Sequence, residues 1–528
     1  MKNILGNKLV PTKYQKKIIK QIKNKNALVT MPTNSGKTLV AYKWADVLRD
    51  DYTKIIFTAP IKALSNERYR ELSKQGLDVG LVTGDVKWNP NAQILCMTQE
   101  IYHQFYYTKP AYVIIDEFHY IFNNFDRARC YIESITNTHP KSKILLMSAT
   151  CKKPENIKQF LENLTGKKFS LATSNERLVP LEFDINGIQL KDIKDSLVFC
   201  FSRKSIEYLI REFYKYRNKI NTKTIKEISK LAVHYNIKFF DEWEIGISRY
   251  HGKLLPKEKM FIEFLYRHDY IDTVVGTDAL SLGVNLPAKY VVLAQLYKQG
   301  FGFIKPSEFN QMVGRAGRYG QSEIGIATWL KNSPVESKHV DMKNEFIRYT
   351  KAKLEDTNIM VDVDNKALIA GRTVEEEALM CDKFSYPGNK LDYYYNLTKQ
   401  NNMIIVEYLN SLREVYNEYQ VDMFKRYITS AYLSEWSLER NLSTAKILVD
   451  LAMENPIIDL QGFLNIIENI FEIGSISIGE YLQELLLIHK YFNNLKYIKE
   501  LQFKNTEYIK DLINDIDYTI FRPDLSIE

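Results

Sequence analysis

Long apolar runs are missing from this chain of 528 residues, and no stretch approaches the roughly 20 residues that a membrane-spanning helix needs. Cysteine is scarce: Cys96, Cys130, Cys151, Cys200 and Cys381 are scattered, and none is spaced as a metal knuckle. That usage excludes a disulfide scaffold and a zinc ribbon, and predicts reduced thiols in an intracellular protein. The opening MKNILGNKLVPTKYQKK has no signal-peptide apolar stretch, and the first motif begins by Tyr14, so a cytoplasmic location is expected. There is no internal repeat and no low-complexity linker. An even balance of charge is missing from both parts of the chain. Residues 336–528 hold 21 Lys and Arg against 32 Asp and Glu, which leaves 51 against 32 for residues 1–335. The basic part suits a polyanion such as nucleic acid, and the acidic part does not.

What is present is an alternation of short apolar runs with amphipathic stretches over residues 25–330. ALVTM (27–31), IIFTA (55–59), ILCMT (94–98), YVIID (112–116) and ILLMSAT (144–150) each end in a polar turn. The pattern pauses near 151–190 and resumes with SLVFCFS (196–202), TVVGT (273–277), YVVLAQL (290–296) and IGIATWL (324–330). This predicts an α/β fold of two tandem parallel-sheet lobes, at 1–175 and 176–335, with a hinge around 175–190. Long helical patterns such as 403–420, 444–455 and 479–502 predict a mainly α-helical third domain over 336–528.

Between the run ALVTM and the helical TLVAYKWADVLRD lies MPTNSGKT (31–38). It fits the phosphate-binding pattern G-x-x-x-x-G-K-[ST] except that Met31 replaces the first glycine. Gly36 remains to let backbone N–H groups approach phosphates, with Thr33, Asn34 and Ser35 completing the loop. Lys37 can reach the β- and γ-phosphates of ATP, and Thr38 can ligate Mg²⁺. VIIDEFHYI (113–121) supplies the acidic partners: Asp116 to hold the metal and Glu117 to polarise the attacking water. QMVGRAGR (311–318) places Arg315 and Arg318 on one side of a helical turn, suited to stabilising charge on a transferring phosphoryl group. In LYKQGFGFIKPSEF (296–309), Gly300 and Gly302 permit a tight turn that could present Phe301 or Phe303 to a base.

The order of these motifs resembles the superfamily-two helicases with RecA-like lobes, in particular the superkiller-type DExH branch. The resemblance rests on MPTNSGKT, TAPIKALSNER (58–68), LVTGD (81–85), MTQE (97–100), DEFH (116–119), SAT (148–150), RLVPLEF (177–183), YHGKLLP (250–256), TDALSLGVNLPA (277–288) and QMVGRAGR. It implies that Gln15 reads the adenine edge and that His119 couples the nucleotide to SAT. It also implies that Asp278, Gly283 and Asn285 link ATP to the nucleic acid, and that Gln311, Arg315 and Arg318 form the second-lobe half of the ATP site. Lys62, Thr83, Gly84, Thr98, Ser202, Arg203 and Thr277 fall where the family grips the sugar–phosphate backbone. Lys253 departs from the glycine that many members carry there. No winged-helix or ratchet-helix motif stands out in residues 336–528, and there is no room for the arch of some RNA-handling members. The expected activity is an ATP- and Mg²⁺-dependent motor on a single strand, RNA rather than DNA, moving 3′ to 5′. A DNA motor is the alternative. A third possibility is an ATP-switched sensor whose acidic helical domain docks a partner such as a nuclease.

Overall fold

The computed structural model describes residues 10–428 apart from 49–52, 84–86, 123–126, 282–285, 287, 318–319 and 321. Gly84, Asp85, Gly283, Asn285 and Arg318, and the helical patterns at 444–455 and 479–502, lie outside the described residues.

The first lobe carries eight strands: β1 (Asn26–Thr30), β2 (Lys54–Ala59), β3 (Val79–Val82), β4 (Lys87–Trp88), β5 (Ile94–Thr98), β6 (Ala111–Ile115), β7 (Lys143–Ser148) and β8 (Phe169–Thr173). All its neighbours run parallel except β3 and β4. Alternate residues of each apolar strand face opposite layers, as the pleat requires. Leu28, Val113 and Leu146 join the core on one face, while Val29, Ile114 and Leu145 join the core on the other. A sheet covered on both sides explains why these strands read as unbroken apolar runs.

The second lobe has six strands in its main sheet: β9 (Leu181–Ile188), β10 (Ser196–Phe199), β11 (Ile247–Tyr250), β12 (Thr273–Gly276), β13 (Tyr290–Leu293) and, last in sequence, β16 (Gly325–Leu330). Between β13 and β16, strands β14 (Tyr297–Lys298) and β15 (Gly302–Phe303) pair as a separate antiparallel hairpin. Gly300 and Gly302 take φ of +83° and +92°, a region that side chains with a Cβ avoid, and this allows the tight reversal.

Strand order sorts the motifs. In the first lobe the order β4-β3-β5-β2-β6-β7-β1-β8 places the loops after β6, β7 and β1 side by side. These loops carry Asp116-Glu117, Ala149-Thr150 and the phosphate loop. The loops after β3, β5 and β2, with Thr83, Thr98 and Lys62, form a second contiguous group. In the second lobe the order β11-β12-β10 groups His251, Thr277 and Ser202-Arg203 in the same way. Ligand loops at the carboxyl ends of parallel strands are thereby divided into two neighbouring rows.

After β16 the chain turns back to the first lobe. Helices Val374–Phe384 and Leu391–Val415 bury Ala378, Cys381, Phe384, Tyr394 and Ile405 in one core with Ala128, Ile132 and Ile157 of the first lobe. The pattern at 403–420 predicts one helix, but two are found. The first runs Leu391–Val415 and the second Glu418–Ile428. Tyr416 is extended (φ −116°, ψ 150°), and Asn417 and Gln420 exchange side-chain-to-backbone hydrogen bonds that start the second helix. The five cysteines are all free.

Candidate active site and nucleic-acid interface

The phosphate loop is built on β1. Met31 is fully buried and its N–H donates to Ser148 O (3.0 Å), so this position anchors the loop to β7 instead of opening it. Gly36 has φ +72°, and a Cβ there would lie 2.5 Å from Gln15 Nε2. Gln15 is itself buried: it donates to Ser35 O (3.0 Å) and accepts from Thr12 N (2.9 Å). Its carboxamide therefore braces the phosphate loop.

The acidic loop closes on this one. Lys37 Nζ lies 3.4 Å from Glu117 Oε2. Glu117 holds a left-handed backbone (φ 49°, ψ 42°), a conformation that costs a non-glycine residue on the order of 1–3 kcal/mol and recurs at functional sites. Burial would raise Glu117, but the cations Lys37 and Arg315 outweigh it and keep the carboxyl below its ordinary value. Burial and the neighbouring Glu117 push Asp116 up, against the pull of Arg68 and Lys37. His119 accepts the Ala149 N–H at Nδ1 (2.9 Å), which ties the acidic loop to SAT. Burial drives this imidazole down to about 4. It is thus neutral at pH 7, with its proton on Nε2, and its 3.3 Å approach to Glu117 is not an ion pair.

The second lobe completes the cleft. Asn34 Nδ2 donates to Gly317 O (2.8 Å), and a Cβ at Gly314 would sit 2.9 Å from the Thr33 Cβ. Arg315 is half-buried, donates to Ser281 O (2.5 Å) and interacts with Glu117 across the lobes. Gln311 lines a cavity of about 280 Å³ together with Thr33, His119, Thr150 and Arg177. Lys37, Glu117, Asp116, Thr38, Arg315 and Gln311 are therefore brought to one inter-lobe cleft.

Two residues of this cleft have no assigned role in the sequence reading. Arg177 donates to Gly314 O (3.2 Å) and Ala316 O (2.7 Å), fastening the second-lobe loop to the crossover between lobes. Arg68 lies 3.3 Å from both Thr38 Oγ1 and Asp116 Oδ2. Both are quoted within motifs, but an arginine in a helix or loop reads as solvated until the fold shows its partners.

The donor set fits a nucleotide and a hard cation. The Ser35 and Ser148 hydroxyls are buried with no hydrogen-bond partner among the described residues, which is unusual for buried polar atoms. A hydroxyl and a carboxylate, Thr38 and Asp116, are oxygen ligands of the kind Mg²⁺ takes.

The second row is placed as follows. Lys62 opens the helix Lys62–Ser73, Thr98 precedes the turn Gln99–Ile101, and Thr83 follows β3. Ser202 caps the helix Arg203–Phe213 by accepting from Ser205 N (3.0 Å). Thr277 accepts from Ala279 N (3.3 Å) at the next strand end. His251, beyond β11, is pushed down to about 4 by burial and then by Arg203, Arg249 and Lys259, which marks this strand end as electropositive. Phe301 stands at the hairpin tip with 89% of its surface exposed. The hairpin base is held by Glu336, which accepts from Leu296 N (2.5 Å) and Tyr297 N (3.2 Å).

Two parallel-sheet lobes with nucleotide-loop chemistry in the cleft between them define a helicase-type ATPase core. Sequence comparison agrees: residues 12–160 match the DEAD/DEAH box helicase family, and residues 182–320 match the helicase conserved C-terminal domain. The chain thus carries both helicase domains, and its relatives include Mtr4- and Ski2-like DExH-box RNA helicases. It is 27% identical over 396 residues to the ATP-dependent RNA helicase mtr4 of Schizosaccharomyces pombe, covering 58% of this chain and 35% of that one. It is 28% identical over 400 residues to the exosome RNA helicase MTR4 of Homo sapiens, covering 60% and 38%. It is 28% identical over 361 residues to the ATP-dependent DNA helicase Hel308 of Thermoplasma volcanium, covering 61% and 52%. The match thus spans between about a third and a half of these relatives' length.

Proposed function

We propose that this protein is an ATP-driven helicase or translocase that moves 3′ to 5′ along a single strand of RNA in the cytoplasm. The observation that carries the reading is the apposition of Lys37 and Glu117 to Arg315 of the other lobe, beside a separate row of strand-end hydroxyl and basic residues.

Thr38 and Asp116 would hold Mg²⁺, which when bound neutralises charge on the β- and γ-phosphates. The chain's own residues do the rest. The loop N–H groups around Gly36 cradle phosphate oxygens, and Lys37 exchanges Glu117 for the γ-phosphate. Glu117, thus freed and ionised, orients a water and takes its proton. Arg315, with Arg318 and Gln311, faces charge developing on the transferred group. Asn34 and Arg177 make the second-lobe loop sensitive to the state of the phosphate loop. The row Lys62, Thr83, Gly84 and Thr98 in one lobe, and Ser202, Arg203 and Thr277 in the other, grips the backbone without reading sequence. Phe301 on its hairpin splits the duplex by stacking on the last pair.

RNA is favoured because relatives named as RNA helicases recur among the matches, at 26–28% identity. The one named as a DNA helicase is the second reading, since more of its length is matched. The acidic residues 336–528 are proposed to dock a protein partner, a nuclease if ATP serves as a switch. Among the described residues no helix is long and apolar enough to cross a membrane.

The test is the ATPase rate without nucleic acid, with single-stranded RNA and with single-stranded DNA of matched length, using Lys37→Ala as control. Stimulation by RNA alone is expected. Stimulation by DNA alone would transfer the proposal to DNA, and stimulation by neither would leave the switch reading in its place.

A further inference from the structure

Arg68 occupies an unusual position for a residue of a surface-facing helix. Its Nη2 lies 3.3 Å from Thr38 Oγ1 and 3.3 Å from Asp116 Oδ2, the two groups assigned to the metal. Its Nη1 donates to Tyr42 OH (2.8 Å) and to Glu71 Oε2 (2.8 Å). The Tyr42 hydroxyl also donates to Glu71 Oε2 (2.8 Å), and the guanidinium sits over the Tyr42 ring at 5.3 Å. One end of the guanidinium therefore faces the metal ligands, and the other faces a tyrosine–glutamate pair away from them.

Charge makes this arrangement understandable. Asp116 and Glu117 are adjacent, half-buried carboxylates, and each costs free energy unless a cation is near. Lys37 faces Glu117 and Arg68 faces Asp116, so each has one. A divalent ion between Thr38 and Asp116 would meet a guanidinium already in that space, and the two cations repel strongly in a site shielded from water. Arg68 and Glu71 lie three apart on the helix Lys62–Ser73, and the Glu71 side chain is 40% exposed. Tyr42 and Glu71 already hold the Nη1 end, so a side-chain rotation can release the Nη2 end from Thr38 and Asp116 while the guanidinium keeps these partners.

We propose that Arg68 is a displaceable internal cation: it fills the metal position while the nucleotide site is empty, and withdraws onto Tyr42 and Glu71 when Mg²⁺ enters with the nucleotide. The inference rests on the reading of Thr38 and Asp116 as metal ligands. It makes Arg68 a positioning residue that sets how much Mg²⁺ the site demands. It also keeps metal without nucleotide from occupying the site.

Binding of a fluorescent ADP analogue to the full chain is measured while Mg²⁺ is titrated, and Mn²⁺ binding without nucleotide is followed by electron paramagnetic resonance. For Arg68→Gln the half-saturating Mg²⁺ concentration is expected to fall by roughly tenfold, because a cation no longer competes. Mn²⁺ alone should bind this variant and not the wild type. Glu71→Gln, which keeps Arg68 and weakens its retreat, should shift the Mg²⁺ requirement upward, so the idea remains testable if Arg68→Gln does not fold. An unchanged Mg²⁺ midpoint in Glu71→Gln, or an unchanged or raised midpoint in folded Arg68→Gln, overturns the proposal. Failure of the wild type to bind the analogue at any Mg²⁺ concentration instead overturns the nucleotide-site reading, and the inference with it.

Discussion

Asn34 of the phosphate loop donates its side-chain amide to the carbonyl oxygen of Gly317, 283 residues away in the other lobe, at 2.8 Å. Asn34 also takes φ +61°, a left-handed conformation that asparagine tolerates better than most residues. One residue thereby shapes the loop and carries the contact between lobes. Asn34→Gly keeps the backbone freedom and removes the amide. It is expected to loosen the lobes without nucleotide, seen as a larger radius of gyration in small-angle X-ray scattering, with the fold intact by circular dichroism. Unchanged scattering would mean that Arg177 alone holds the loop.

The Lys37–Glu117 pair makes a second expectation specific. Glu117→Gln leaves the loop, Lys37 and Thr38 in place and removes the base, so nucleotide should bind while hydrolysis falls by about 10²–10⁴-fold. Lys37→Ala removes the phosphate contact itself and should lose both. Normal turnover in either purified variant would dissolve the site as assigned.

Much of this site is visible in the sequence because its backbone demands are local. A strand run, a glycine that must reach φ +72° and a lysine–threonine pair all fall within a dozen residues. The hairpin is foreshadowed in the same way by Gly300 and Gly302. What escapes is set by partners distant in sequence. The strand LEFDINGI (181–188) reads as an interruption because its residues are mixed and mostly half-exposed or exposed. It becomes a strand only by pairing with β16 at the sheet edge. Arg68 and Arg177 draw their meaning from Asp116 and Ala316, which no spacing rule connects to them. The return of the C-terminal helices onto the first lobe is equally unannounced, since an amphipathic helix shows that it packs but not against what.

His119 gives the site a pH signature. Its folded-state value is lowered to about 4, well below that of an exposed imidazole, because the buried ring resists charging. The unfolded chain therefore binds the extra proton first as pH falls, so stability contributed by this residue is full above about pH 6.5 and is lost towards pH 4. The loss should approach about 3 kcal/mol at the low end. Urea unfolding at pH 7, 6 and 5 checks this: His119→Gln should show a shallower acid loss than the wild type. Parallel curves would show that His119 titrates normally.

Arg129 of the first lobe and Glu377 of the C-terminal helices form a buried ion pair that holds the returning chain in place. Glu377 is fully buried and also accepts from Arg372 Nη1 (2.6 Å) and Asp364 N (2.7 Å). Arg372 remains on Glu377 when Arg129 is removed, so the buried carboxylate keeps one cation and Arg129→Ala is expected to cost about 1.5–3 kcal/mol, the worth of its charged hydrogen bonds. Because the pair sits between the first lobe and residues 364–384, protease should then cleave within the C-terminal helices before the lobes. Unaltered proteolysis and melting would show that apolar packing alone suffices there.

Phe301 allows strand separation to be divided from ATP turnover. The ring is exposed at the hairpin tip and is in neither lobe's core. Stacking of an aromatic ring on a base is worth about 1–3 kcal/mol, so its loss should lower duplex opening by roughly tenfold or more. Phe301→Ala is accordingly expected to retain single-strand-stimulated ATPase within a factor of about two and to lose most unwinding of a duplex with a 3′ overhang. Phe301→Trp should restore it, since a larger ring stacks at least as well. If Phe301→Ala unwinds at the wild-type rate, the hairpin is a surface turn and the strands are parted elsewhere. If both rates fall together, the hairpin acts on strand binding and not on the junction.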